Sequence, residues 1–229
     1  MGRFQQWFSE EREKLRKLSP RDRAGYIWDY YKLWIIGILS AIILVTAAAI
    51  HLHNTAAENW FYVCFGNTFA DIGSDSDFCR NYADYAGYDL REKNLIFNAQ
   101  CYCKPSENTY GNSYYETLIA YMDSGTLDVL VMEEEDLLAI GASGRLLDLE
   151  DERVSGLLER YQDRLVYCTP LREDYGKEQV AVGIDLSGTC LVGEYKAYPE
   201  GCVLGISTMA PHLDQVEVFL NYLFEEAEP

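Results

Sequence analysis

One run, Leu33-Trp-Ile-Ile-Gly-Ile-Leu-Ser-Ala-Ile-Ile-Leu-Val-Thr-Ala-Ala-Ala-Ile-His-Leu52, constrains this chain more than any other stretch. No charged residue lies between Leu33 and Ile50. An α-helix rises about 1.5 Å per residue, so about twenty such residues cross the roughly 30 Å hydrocarbon core of a bilayer. The run therefore predicts a transmembrane helix over 33–52 with a domain tethered to it. The alternative is a cleaved signal peptide, with Ala47-Ala48-Ala49 or Thr55-Ala56-Ala57 as its small-residue site. Such peptides place an apolar core of about 7–15 residues behind a short leader. Here the leader has 32 residues, and an uncleaved signal-anchor is the expectation.

Charge sets the expected orientation. Eight basic residues lie between Arg3 and Lys32, and the next base is Arg80. Basic flanks stay in the cytoplasm, which places the N-terminus there and the C-terminal part outside the cell membrane. Tyr26, Trp28, Tyr30, Tyr31 and Trp34 cluster at the inner boundary, and Trp60 and Phe61 follow the outer one. Amphipathic rings favour the headgroup layer. Lipid is thus an expected partner, although five acids dilute the basic leader and argue against specific headgroup recognition.

Eight bases against five acids give the leader +3 of the chain's net −18, leaving −21 for the remainder. A domain that acidic is poorly suited to nucleic acid, because phosphate contacts need Lys and Arg. It stays soluble and attracts cations or basic partners. All seven cysteines follow the span: Cys64, Cys79, Cys101, Cys103, Cys168, Cys190 and Cys202. Outside the membrane up to three disulfides can form, with connectivity open. Cys101 and Cys103 point to the same face of an extended segment, so a bridge between them would be strained. Metal-type Cys-x-x-Cys spacing is missing, and no metal or cofactor is expected.

The chain divides into a cytoplasmic juxtamembrane segment (1–32), the span (33–52), a polar linker (53–59) and an extracytoplasmic domain (60–229). Residues 3–18 read as an amphipathic helix. Ser19-Pro20-Arg21-Asp22 is a helix start, with Ser19 as cap, Pro20 at the first position and Asp22 completing a capping box. The domain has about 170 residues, enough for one core. Strands are expected at 60–65, 94–101, 127–132, 180–184 and 201–206. Helices are expected at 76–86, 114–122 (stopped by Gly125), 135–140 (closed by Gly141) and 214–225. This alternation argues for an α/β fold, a mostly parallel sheet covered by helices in three layers. Ligands in such sheets sit at the carboxyl ends of strands, here the loops at Asn67-Thr68-Phe69, Cys103-Lys104 and Met132-Glu133-Glu134.

Residues 121–149, with the Asp128-Val-Leu-Val131 strand, an acidic short helix and Leu146-Leu-Asp-Leu149, resemble the centre of extracellular solute-binding proteins of transporters. The tail from Cys202 to Leu223 is similar to the same family's strand, polar turn, Pro and closing helix. The resemblance covers about a third of the domain and implies a solute-binding-like lobe. Members of that family use two hinged lobes, but only about thirty residues separate Leu149 from Val180. One lobe is therefore expected, which favours partner binding over capture of a solute, since an unclosed cleft buries less ligand. Tyr26-Ile-Trp-Asp-Tyr-Tyr-Lys32 also resembles the segment entering the span of short membrane-anchored proteins of Gram-positive bacteria, which implies a cell-envelope location.

Candidate binding residues are Asn67, Thr68, Phe69, Lys104, Tyr110, Tyr114, Glu133 and Glu134. Glu133 to Asp136 are placed to bind a cation or a basic ligand, or simply to complement a helix dipole. Asp71, Asp75 and Asp77 loosely resemble a calcium loop but lack its full ligand pattern, and helix capping is the plainer reading. The tyrosines Tyr82, Tyr85, Tyr88, Tyr102, Tyr110, Tyr114 and Tyr115 read either as a shared binding surface, fed by an exposed loop over 104–113, or as ordinary core and surface residues. Catalysis has little support. His51 and His53 lie at the membrane exit, His212 has no evident partner, and Ser207-Thr208 lacks a nucleophile-elbow pattern. The expected function is a membrane-anchored binding or scaffold protein engaging a protein or peptide partner without catalysis. An anchored solute receptor and an enzyme of unknown type are the alternatives.

Overall fold

Ser19 opens the first helix by the capping logic of its sequence. Its hydroxyl oxygen accepts from the Asp22 backbone N–H at 3.3 Å and donates to the Asp22 carboxylate at 2.6 Å. The structure, a computed structural model, describes residues 13, 16, 19–56, 59–90, 93–154, 156, 159–171 and 178–225. Helix α1, Pro20–Ala56, is continuous over 37 residues. Within it Tyr31–Ile50 has a mean hydropathy of 2.6 and no burial against the chain, so one helix is long and apolar enough to cross a membrane. The Thr46 hydroxyl returns to the Ile42 carbonyl at 2.8 Å, the usual way to satisfy a hydroxyl in an apolar span. Almost all of the helix expected over 3–18 lies outside the described residues. The expected linker at 53–59 is shorter than its polarity suggested: α1 runs to Ala56 and Asn59 already belongs to a strand.

Residues 57–229 form a second, separate unit. Its strands are β1 (Asn59–Gly66), β2 (Asn94–Cys101), β3 (Val129–Met132), β4 (Leu165–Cys168), β5 (Val180–Asp185) and β6 (Val203–Ile206). They make one six-stranded sheet in the order β2-β1-β3-β6-β5-β4. The helices are α2 (Asp77–Tyr85), α3 (Ser113–Asp123), α4 (Glu134–Ala142), the single-turn α5 (Cys190–Gly193) and α6 (Leu213–Glu225). A 3-10 turn spans Glu159–Arg164.

The period-two alternation of β1 divides the core. Phe61, Val63 and Phe65 face one side and meet Phe78 and Tyr82 of α2, Leu191 of α5, and Phe219 and Tyr222 of α6. Tyr62 and Cys64 face the other side and meet Leu118 and Met122 of α3 and Leu137 and Ile140 of α4. The result is the expected three-layer α/β arrangement. The sheet itself is mixed rather than mostly parallel. β1 runs parallel to β2 and β3, whereas β3–β6, β6–β5 and β5–β4 are antiparallel. Hydrophobic periodicity reports that a strand exists and which face is buried, but not its direction. β4 escaped the sequence reading because it is a half-exposed edge strand with a broken burial pattern.

Gly141 does not close α4 as expected. It lies inside the helix, where a Cβ would stand 2.9 Å from Val182, and the stop falls at Gly144 with φ +79°. Gly125 does follow α3 in the left-handed conformation, with φ +68°.

One buried carboxylate stitches the layers at the start of β3. Asp128 is fully buried. Its Oδ2 accepts from the Tyr62 N–H at 2.9 Å, and its Oδ1 accepts from the His212 N–H at 2.9 Å. The His212 ring Nδ1 stands 3.1 Å from Oδ2. The Asp128 backbone bonds Tyr62 O at 3.1 Å and Ser207 N at 2.9 Å. β1, β3, the end of β6 and the entry to α6 thus meet at one residue. Replacing Asp128 by Ala orphans one buried and one partly buried backbone donor, at about 1–3 kcal/mol for a buried one. Chemical denaturation is expected to show about 3 kcal/mol lost in Asp128→Ala and about 1 kcal/mol in His212→Ala, which leaves both backbone bonds intact. Equal losses in the two variants would contradict this assignment.

Candidate functional site

At the carboxyl end of β1 the chain must turn away from the sheet without losing its ladder. β1 ends at Gly66, where a Cβ would meet the Met132 side chain. Its carbonyl accepts from the buried Tyr198 hydroxyl at 2.9 Å, which also donates to Val131 O at 3.1 Å. Asn67 then adopts φ +57°, a left-handed conformation that asparagine tolerates better than most residues.

Asn67 is the centre of a clamp. Its N–H donates to Cys101 O at 2.9 Å. Its side-chain oxygen accepts from Cys103 N at 3.0 Å, while Nδ2 donates to Cys103 O at 2.6 Å and to Asp136 Oδ2 at 3.0 Å. The amide therefore imitates one more residue of strand, pairing with both polar atoms of Cys103. The second oxygen of Asp136 accepts from the Ser106 N–H at 3.1 Å and from its hydroxyl at 2.6 Å. The loops after β1 and β2 and the first turn of α4 are tied together. Thr68, also buried, donates to Ala197 O at 3.1 Å and accepts from Ala70 N at 3.2 Å.

Between these anchored residues Phe69 is pushed outward and is 89% exposed. Its ring stacks on Tyr102, with centroids 5.3 Å apart and planes 19° from parallel. Tyr102 in turn meets Tyr114 edge-on at 5.5 Å. Tyr110 stands nearby in sequence and is 95% exposed. Asn112 orders this segment by accepting from Tyr114 N and Tyr115 N at 3.0 and 3.1 Å and donating to Tyr102 O at 3.2 Å. The outcome is an aromatic shelf at the carboxyl ends of β1 and β2.

Two depressions adjoin it and a third lies beyond the second. The largest, about 640 Å³, runs from Phe69 and Tyr102 along β2 past Asp71 and Asp75. The second, about 410 Å³, lies between Asn67, Phe69, Lys104, Glu107 and Glu133. The third, about 250 Å³, is bounded by Glu133, Glu134, Glu135, Asp185 and Glu200. Four of the eight residues picked from sequence, Asn67, Phe69, Lys104 and Glu133, meet in the second depression, and Glu134 lines its neighbour. Asn67 and Thr68 are committed to holding the loops. Tyr114 lines a separate depression with Cys64 and Cys101. Tyr110 projects into solvent. Lys104 is paired with Glu107 at 3.1 Å.

The tyrosines do not form one surface. Tyr82 and Tyr88 are core residues, with Tyr82 packed on Phe97 and Phe219. Of the acidic loop, Ser76 caps α2 by accepting from Cys79 N at 3.2 Å, and Asp77 pairs with Arg80. Among the described residues no group of three His, Cys, Asp or Glu side chains is placed to hold a metal ion. The seven cysteines are buried and none is in a disulfide, where up to three bridges were expected. They are split between the two sides of the sheet and serve as small apolar packing residues. Cys101 and Cys103 are neighbours, with sulfurs 3.8 Å apart.

Sequence reading found no partner for His212. The structure supplies Asp128, which lies 84 positions away and carries no local signal. Ser207 is buried, and its hydroxyl has no hydrogen-bond partner among the described residues.

Compared with protein-family models, curated proteins and solved structures, the chain gives no significant match.

Burial gives this domain a distinct alkaline response. It pushes the Tyr62 phenol up to about 12, against the opposing hydrogen bond from Asn98, and the Cys79 thiol up to about 11. Cys103 is raised by its bond with Cys101 and by burial, and Cys202 is raised by burial. Groups raised in the folded state contribute stability that is intact below their unfolded values, about 9 for Cys and 10 for Tyr, and lost as pH climbs through the folded ones. The melting temperature is expected to fall between about pH 9 and pH 12 on account of these groups. An aqueous thiol reagent at neutral pH is expected to find almost none of the seven thiols until denaturant is added. Rapid labelling of the folded protein would contradict the packing described.

Proposed function

We propose that this chain is a single-span protein of the cell membrane, with its N-terminus in the cytoplasm and an extracytoplasmic α/β domain that works by binding a protein or peptide partner rather than by catalysis. Basic residues before α1 and their scarcity just after it support the orientation. The observation that carries the binding reading is the Phe69–Tyr102 shelf. A phenylalanine held almost fully in water by a rigid, hydrogen-bonded clamp costs hydration free energy that burial against a partner recovers. Tyr and other aromatic residues are the usual anchors of such contacts.

The size of the largest depression, about 640 Å³, favours a second reading, an anchored receptor for a small solute. That depression is a wide trough rather than a closed pocket, and it fits an extended segment better than an engulfed ligand.

A photoreactive residue in place of Tyr110 is expected to form one discrete cross-linked product in native membranes, and Phe69→Ala is expected to abolish it. Phe69→Ala should change stability by no more than about 0.5 kcal/mol, because the ring is already exposed. A product that survives Phe69→Ala would move the contact elsewhere. A reproducible thermal shift with a sugar or amino acid would favour the receptor.

A further inference from the structure

The three depressions abut one another and together outline a trench. The first and second share Phe69 and Tyr102, and the second and third share Glu133. It passes along the carboxyl ends of β2, β1 and β3 and reaches the end of β5 at Asp185. Among the described residues its lining holds eight carboxylates and one base, Lys104, which is already bound to Glu107. Two further bases border it: Arg80 donates to the Asp75 carbonyl at 2.6 Å and pairs with Asp77, and Arg164 donates to the Ser187 carbonyl at 3.0 Å and lies over the Phe224 ring. Glu133, Glu134 and Glu135 are all exposed at the mouth of the third depression.

Aromatic faces and carboxylates along one groove select the same chemistry. A lysine or arginine head is attracted to the negative face of a ring, and its aliphatic stem covers apolar surface. Unpaired carboxylates complete the field and steer such a group inward. We infer that the trench takes an extended, lysine- or arginine-bearing peptide segment of a partner protein, with one basic side chain lying on the Phe69–Tyr102 shelf and others facing Glu133, Glu134 and Glu135. This rests on the binding reading above and specifies the partner's chemistry. An extended segment is favoured over a compact cation because shelf and acidic mouth are separate stations of one groove, to be reached by successive side chains.

The test uses the full chain in nanodiscs of uncharged lipid, with empty nanodiscs as blank. The probe is a fluorescent peptide of alternating lysine and serine, and its counterpart carries glutamate instead of lysine. Saturable binding of the lysine peptide alone is expected. Its affinity should drop about tenfold or more in Phe69→Ala and in Glu133→Gln/Glu134→Gln/Glu135→Gln. Asp84→Asn/Glu116→Gln/Glu152→Gln, which removes the same charge from exposed positions elsewhere, should leave it unchanged. Melting curves confirm that each variant is folded. Equal weakening in the control variant, or indifference to Phe69→Ala, would overturn the inference by reducing it to bulk acidity. Spermine or calcium binding as tightly as the peptide with the same variant dependence would overturn the peptide as occupant. If the lysine peptide fails to bind while the Phe69-dependent cross-link persists, the charge inference falls and the binding reading stands. Failure of both removes both.

Discussion

Everything exposed at the carboxyl end of the sheet depends on one hydrogen-bonded clamp, Asn67 to Asp136. Parallel strands end in loops that have no ladder to hold them, and loops so placed are usually mobile. Here the Asn67 amide replaces the missing strand residue opposite Cys103, and the buried Asp136 joins that loop to α4 through Ser106. A buried carboxylate is tolerated only when its oxygens are satisfied, and both oxygens of Asp136 are. The rigidity so obtained is what presents Phe69 to solvent as a fixed surface.

The same device recurs at the opposite end of the strands. Asp128 collects backbone donors from β1 and from the entry to α6, much as Asp136 collects them from the loop after β2. Both acids sit just beside β3, the short central strand, one before it and one after it. A four-residue strand makes few ladder bonds of its own, and the two carboxylates extend its reach to its neighbours. Cysteines and tyrosines fill the layers between. Burial of the seven cysteines and of Tyr82 and Tyr88 makes packing residues of types that read as a disulfide set or a binding face, whereas Tyr110 and Tyr114 stay exposed.

Much of the fold was legible because it is local. Strands β1, β2, β5 and β6 and helices α2, α3 and α6 follow from hydrophobic periodicity, and Ser19 and Gly125 act as the punctuation they resemble. What escaped is non-local or weakly patterned. The direction of β6 against β3 is decided by tertiary pairing, and β4 is an edge strand with few buried positions. Gly141 reads as a stop but is required by the close approach of Val182. At the site, the rule that ligands gather at strand ends brought Asn67, Phe69, Lys104 and Glu133 together correctly as neighbours. It did not separate the residues that hold the loops from those that are displayed, because that division lies in the partners of Asn67 and Thr68, Asp136 and Ala197, 69 and 129 positions away. Tyr102, the ring beneath Phe69, was missed as an individual for the same reason.

The central claim is that the trench between Phe69 and Glu133 is the binding surface of a membrane-anchored domain. Backbone amide exchange of the full chain in uncharged-lipid nanodiscs, with and without the lysine–serine peptide, tests it most directly. The account predicts added protection confined to residues 66–75, 102–112 and 133–136, with little change in β5 or α6 except near Asp185. Protection that is absent, or that falls instead on the β4 edge or the face of α6, would contradict it.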